Sequence, residues 1–201
     1  MKGYLFIFCI IFFSCSSTKI TRSWREPNKQ VSIGKLHKVL VVALVKDETN
    51  RRKVEDKMVE YLEGKGVVSY NYLDSKTSRT NEEAIRAKIK ADGFDGAVTM
   101  RLLNVDQEKN YIPGMGTSYS SGYNNFSGYY YRVLPYFSNM GSYVTTKTYM
   151  VETNVFSILE DKIVWSGVTE TADPDGVDKM IGEITKVVYK KMRSEGFISK
   201  N

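Results

Sequence analysis

The chain has 201 residues, 42% of them hydrophobic and 26% charged, with a formal net charge of +6. Those fractions are the globular average, so the chain can bury a core, and collagen, coiled coil, polytopic membrane protein and wholesale disorder are excluded. The positive balance is too small and diffuse to argue for nucleic acid, and no nucleic-acid partner is expected.

Met1-Lys2-Gly3 is followed by ten apolar residues, Tyr4 to Phe13. As a helix, ten residues reach only about 15 Å, half a hydrocarbon core. Residues 1–14 therefore read as a signal peptide rather than a membrane span. Ser14-Cys15 directly after the apolar run resembles the bacterial lipoprotein cleavage site, with Phe12 where the usual pattern has Leu. The resemblance implies that Cys15 is lipidated as the first mature residue, which gives stable membrane anchoring. The only other cysteine, Cys9, falls in the leader, so the mature chain is expected to hold neither a free thiol nor a disulfide. Cys15 is not followed by Asp, which by the same resemblance implies the outer membrane, and the lack of an acidic run favours its periplasmic face.

Residues 15–35 read as the lipidated cysteine and a tether. Lys19, Arg22, Arg25, Lys29 and Lys35 stand against Glu26, so this stretch either rests on anionic headgroups or is simply solvated. Trp24 within it either docks back on the domain or sits in the headgroup interface.

A single α/β domain is expected over 36–201. Lys38 to Val45 is a continuous, β-branched apolar run, the mark of a central strand buried on both faces. Asp47 to Asn50 caps a helix with Val54, Met58, Tyr61 and Leu62 inward, ended by Gly64 and Gly66. Val67 to Leu73 reads as a second strand. Thr80-Asn81-Glu82-Glu83 forms a capping box before a short helix with Ala84, Ile85 and Ile89 inward, and Asp95 to Val105 is a third strand. This βαβαβ unit implies right-handed crossovers and a parallel sheet. Tyr143 to Leu159 and Lys162 to Ala172, joined at Glu160-Asp161, are close enough only for an antiparallel hairpin. Asp173-Pro174-Asp175 then opens a helix with the stripe Val177, Met180, Ile181, Ile184, Val187, Val188 and Met192. The expected architecture is a mixed five-stranded sheet with three helices.

Residues 111–143 differ in kind, with eight tyrosines, two phenylalanines, five glycines and Arg132 as the only charge. Tyr, Ser, Gly and Asn make adaptable recognition surface, so Tyr119, Tyr123, Tyr129, Tyr130, Tyr131 and Tyr136 are candidate contacts for a glycan or another envelope protein. The alternative is a flap without partners.

Ser23-Trp24-Arg25-Glu26-Pro27, Val39 to Val45 followed by Arg51, Glu55-Asp56 and Gly66, then Asp95-Gly96, Tyr111-Ile112-Pro113-Gly114 and Val164-Trp165-Ser166-Gly167 together resemble an uncharacterised group of bacterial outer-membrane lipoproteins. More distantly, the β/α order is similar to periplasmic domains of the curli-secretion lipoprotein and the Tol-system propeller protein. The resemblance implies a fold and a compartment, and no reaction.

Catalytic patterns are sparse. His37 is the only histidine and precedes the first strand, so any nucleophile–histidine triad would depend on it. Zinc would have carboxylates alone beside it, and Asp173 to Asp178 lacks the glycine and glutamate positions of a calcium loop. Phosphate-loop and nucleophile-elbow motifs do not occur, and no metal or cofactor is expected. Asp47, Glu48 and Arg51 lie at the carboxyl end of the first strand, where open α/β sheets bind ligands; helix capping is the competing reading. Trp165, in an apolar strand run, reads as core. The expected function is a non-enzymatic, lipid-anchored envelope protein with a binding or assembly role; the alternative is an envelope hydrolase whose site escapes motif reading.

Overall fold

The computed structural model describes residues 17–73, 82–112, 125–128, 130–131 and 142–199. The α/β class holds, and the sheet has six strands rather than five. They are β1 (Thr18–Arg25), β2 (Val39–Leu44), β3 (Gly66–Val68), β4 (Gly96–Ile112), β5 (Ser142–Ser157) and β6 (Lys162–Ala172), in the order β1-β6-β5-β4-β2-β3. β2 pairs in parallel with β3 and β4, and β4, β5, β6 and β1 follow antiparallel. The helices are α1 (Glu48–Val59), the single turn α2 (Ser69–Tyr72), α3 (Glu82–Ala91) and α4 (Val177–Ser194).

The sixth strand is β1, which lies in the stretch expected to be a tether. Its charges, Lys19 and Arg22, suit an edge strand, whose outer side must discourage further pairing. Residues beyond it are tied down as well. Val31 donates its N–H to Phe197 and accepts from Ser199, at 2.7 and 2.9 Å, so the crossover to β2 is stitched to the end of the chain. Trp24, on β1, stays 47% exposed.

β2 explains its own composition. Val41 and Ala43 pack in the main core beneath α1 and α4, while Leu40 packs on the opposite face with Phe94 and Ala97, so neither side of the strand tolerates polarity. α4 contributes Ile181, Ile184, Val188 and Met192 to the main core, the centre of the expected stripe, and Val177 at its start is exposed. Gly196, at φ 71°, reverses the chain after α4 and lets Phe197 and Ile198 fold back into the core.

The second strand is shorter than its composition suggests. It ends at Val68, and Ser69–Tyr72 turns helical because the buried Glu55 carboxylate accepts from the backbone N–H of Ser69 (2.6 Å) and of Tyr70 (3.2 Å), which caps the turn. α3 covers the second face through Ile89, while Ala84, expected inward, is exposed; the capping residues Thr80 and Asn81 lie outside the described residues.

In β6, the register shift opposite Val155 and Phe156 sets Val164 in as an extra residue, so both Val164 and Trp165 are buried in the main core. Trp165 is core as expected. Its ring lies across Gly167, where a Cβ would come within 2.3 Å of it, and its indole N–H donates to Glu195 at 2.8 Å.

Candidate functional site

The carboxyl end of β2 is the first of three places where polar or exposed side chains gather. Asp47 accepts from the N–H of Asn50 at 2.8 Å as the cap of α1. Glu48 holds Arg51 (3.3 Å) and Arg52 (3.0 Å). Arg51 also reaches Glu55 at 3.2 Å and donates to the Ser69 hydroxyl at 2.9 Å. Glu55 itself, fully buried, accepts from Ala43 N–H (3.0 Å) and from the Ser69 hydroxyl (2.6 Å) besides the two capping contacts of α2. The structure thus brings Asp47, Glu48 and Arg51 together, and each is engaged in holding α1 or in joining α1 to β2 and α2. Sequence reasoning named Glu55 only within the resemblance and gave it no role; its signal was an acid beside Val54 on the inward side of a helix, four residues after an arginine.

The second place is a cavity of about 370 Å³ between the sheet and the helix pair α1 and α4. It opens where β2 and β4 begin and β5 ends, the opposite end of the sheet from Asp47. Met58 and Leu62 form one wall, Val188 and Met192 another, and Met100 and Thr153 lie deepest along the strands. Tyr61 and Tyr189, which also line it, pack with their rings tilted at 46° and centroids 5.0 Å apart.

The mouth is polar. Glu160 pairs with Lys29 and, at 3.3 Å, with Lys162; the hydrogen bonds from these ammonium groups hold its carboxyl below the ordinary value. Burial pushes the Asp95 carboxyl up, but the backbone N–H groups of His37 and Lys38 outweigh it and leave the group below its ordinary value. Lys35 lines the mouth with no acidic partner among the described residues.

Inside, one polar atom stands out. Thr153 is 1% exposed, and its hydroxyl oxygen has no hydrogen-bond partner among the described residues. An orphaned buried hydroxyl costs about 1–3 kcal/mol, so selection for stability alone favours valine there. The only sequence signal for it is a threonine between Val151 and Val155 at the inward positions of β5.

The third place is an arm. β4 runs beyond its last pair with β2 at Arg101, and β5 runs beyond its last pair with β6 at Thr148. From Gln107↔Lys147 to Ile112↔Ser142 the two strands form a ribbon with no third strand among the described residues. This prolongs the expected third strand to Ile112. Tyr111 and Tyr143 pair across it with ring centroids 5.2 Å apart, both exposed, next to exposed Ile112 and Val144. Of the candidate tyrosines, Tyr130 and Tyr131 are exposed, Tyr130 stacks on Phe126 at 5.7 Å, and Tyr119, Tyr123, Tyr129 and Tyr136 lie outside the described residues, as does Cys15. His37 is on the surface, its ring 3.5 Å from Asp95. Among the described residues, no three His, Cys, Asp or Glu side chains are grouped to hold a metal.

No protein-family model and no curated protein matches the chain. Solved structures do. The PelC dodecamer from Paraburkholderia phytofirmans is similar at 10% identity over 91% of this chain and 99% of that one, with a TM-score of 0.47. A point variant of the same PelC gives 9% identity over 85% and 95%, with a TM-score of 0.45. The lipoprotein GNA1162 from Neisseria meningitidis is similar at 10% identity over 78% and 98%, with a TM-score of 0.39.

Proposed function

We propose that this protein is a non-enzymatic, lipid-anchored protein of the outer membrane, facing the periplasm, whose β4–β5 arm docks onto another envelope protein. The observation that carries this reading is that the arm projects from the same end of the sheet at which β1 begins, the end toward the preceding Cys15. Ser17 accepts from Ala172 N–H at 3.2 Å, Ala172 pairs with Thr148, and Thr148 pairs with Asp106, so these residues form one row across the sheet. The arm continues past that row by six residue pairs, about 20 Å of strand. Cys15 lies two residues before Ser17, at most about 7 Å of chain. A lipid on Cys15 therefore holds the arm against the membrane surface, where its partner must also be.

Two features favour a protein partner. Among the described residues no further strand pairs with the outer edges of the ribbon, whose backbone N–H and C=O groups another chain can match by strand addition. Exposed tyrosines beside the glycine- and serine-rich connection add contact area at low entropy cost.

The test places a photo-crosslinking residue at Tyr143, with Lys186 on α4 as control, in cells carrying the full chain. The expected result is one discrete protein adduct from position 143 alone, lost in Cys15→Ala, together with an acylated Cys15 in the mass spectrum of the mature N-terminus. Adducts to lipid or glycan only, or equal labelling from both positions, would overturn the reading.

A further inference from the structure

We propose that the cavity beneath β4 and β5 binds a single-chain amphiphile, an aliphatic acid of about a dozen carbons with a hydroxyl near its far end. Three observations set the chemistry, and none involves the arm, so this inference stands or falls separately from the docking role. The first is size and lining. At about 370 Å³ the cavity sits at the small end of ligand-site sizes, which suits one aliphatic chain of medium length rather than a two-chain phospholipid. Its walls of methionine, leucine and valine adapt to a flexible chain, and methionine in particular repacks at little cost.

The second is the charge at the mouth. Glu160 is taken up by Lys29 and Lys162, and Asp95 by the backbone N–H groups of His37 and Lys38, whereas Lys35 faces the same opening without an acid. An anionic head group completes that set. The third is Thr153. It stands four residues in from Ser157 at the mouth, about 13 Å along the strand, and its buried hydroxyl lacks a partner. A plain hydrocarbon leaves it unpaired; a hydroxyl toward the far end of the chain satisfies it. The carboxyl end of β2, the customary ligand position in such sheets, is closed by its own Glu55 and Arg51 contacts, and the opposite end is open instead.

The experiment uses the full chain in amphipol and equilibrium dialysis with two labelled probes, dodecanoate and its 10-hydroxy derivative. The expected result is saturable binding of one molecule per chain, with the hydroxylated probe about tenfold tighter, the worth of one added hydrogen bond. Thr153→Val should bring the ratio to about one, Lys35→Glu should weaken both probes alike, and Met100→Trp, which fills the depth of the cavity, should abolish both. Thr153→Val removes an oxygen that bonds to nothing and Lys35 is exposed, so these two variants keep the test decisive even where the Met100 variant fails to fold. Absence of saturable binding, equal affinity for the two probes in the parent, or an unchanged preference in Thr153→Val would each overturn the proposal.

Discussion

Glu55 is the residue on which the joint between α1, β2 and α2 turns. Its carboxylate takes three backbone N–H groups, a hydroxyl and a guanidinium while fully shielded from water. Glu55→Ala leaves those donors buried and unmatched, so unfolding in urea should show a loss of about 3–5 kcal/mol, the range for breaking a buried pair from one side. Gly167 carries a different constraint, since its missing Cβ is the space that the Trp165 ring fills. Gly167→Ala should cost about 1–3 kcal/mol by overpacking, with a shifted Trp fluorescence as the ring moves; an unchanged midpoint would show that β6 relaxes freely. Neither position announces itself in the sequence. An acid within a helix and a glycine two places after a tryptophan acquire meaning only when a partner distant in the chain is set against them.

At the scale of elements, the largest correction is β1. Read by polarity, residues 15–35 look like a tether, and by that reading a chain beginning at residue 31 should fold. The structure makes Thr18–Arg25 the edge partner of β6, with the Thr18 hydroxyl 2.9 Å from that of Thr171 and Ser23 donating to Glu195 at 2.5 Å. A chain starting at residue 31 should therefore expose the β6 edge and lose the Ser23 and Arg25 bonds that brace Glu195, the partner of Trp165. It should melt lower than a chain starting at Ser16 by roughly 10 °C or more and aggregate on heating, because a ΔΔG of 1 kcal/mol moves a domain of this size by about 2–4 °C. Equal melting temperatures would return β1 to the status of a tether. Edge strands are hard to read in sequence because one flank and one face meet water, which leaves too little apolar alternation to register. β5 was legible along its whole length from Tyr143, whereas β4 was legible only to Val105, since its residues from Asp106 to Ile112 are exposed on both faces and carry no apolar alternation.

For the whole molecule, two carboxylates join segments far apart in the chain. Asp95 ties the approach to β2 to the start of β4 and, through its carbonyl, to Ile158; Glu195 ties β1 and β6 to the end of α4. Burial raises the Glu195 carboxyl, but the Ser23 hydroxyl, the Trp165 indole and Lys191 more than offset it, so both groups titrate below their ordinary values in the folded state. A depressed folded value means stabilisation that is complete above the unfolded value, about pH 4 for such acids, and lost as pH falls through the folded one. Stability should thus be level from pH 7 to about 5 and decline below about 4, with a shallower decline in Asp95→Asn/Glu195→Gln; an equal slope in that variant would assign acid sensitivity to other groups. The sequence by itself determined the α/β class, the order of the central strands and helices, the buried Trp165 and the expectation of a leader with a lipidated Cys15, because each rests on a local pattern of apolar side chains or a short contiguous motif. Only the tertiary structure decided that Asp47, Glu48 and Arg51 serve the frame, that Thr153 lies unpartnered in a cavity, and that the arm leaves beside the N-terminal strand. Those are relations between strands whose residues lie tens to more than a hundred positions apart, and they exist only once the sheet sets its register.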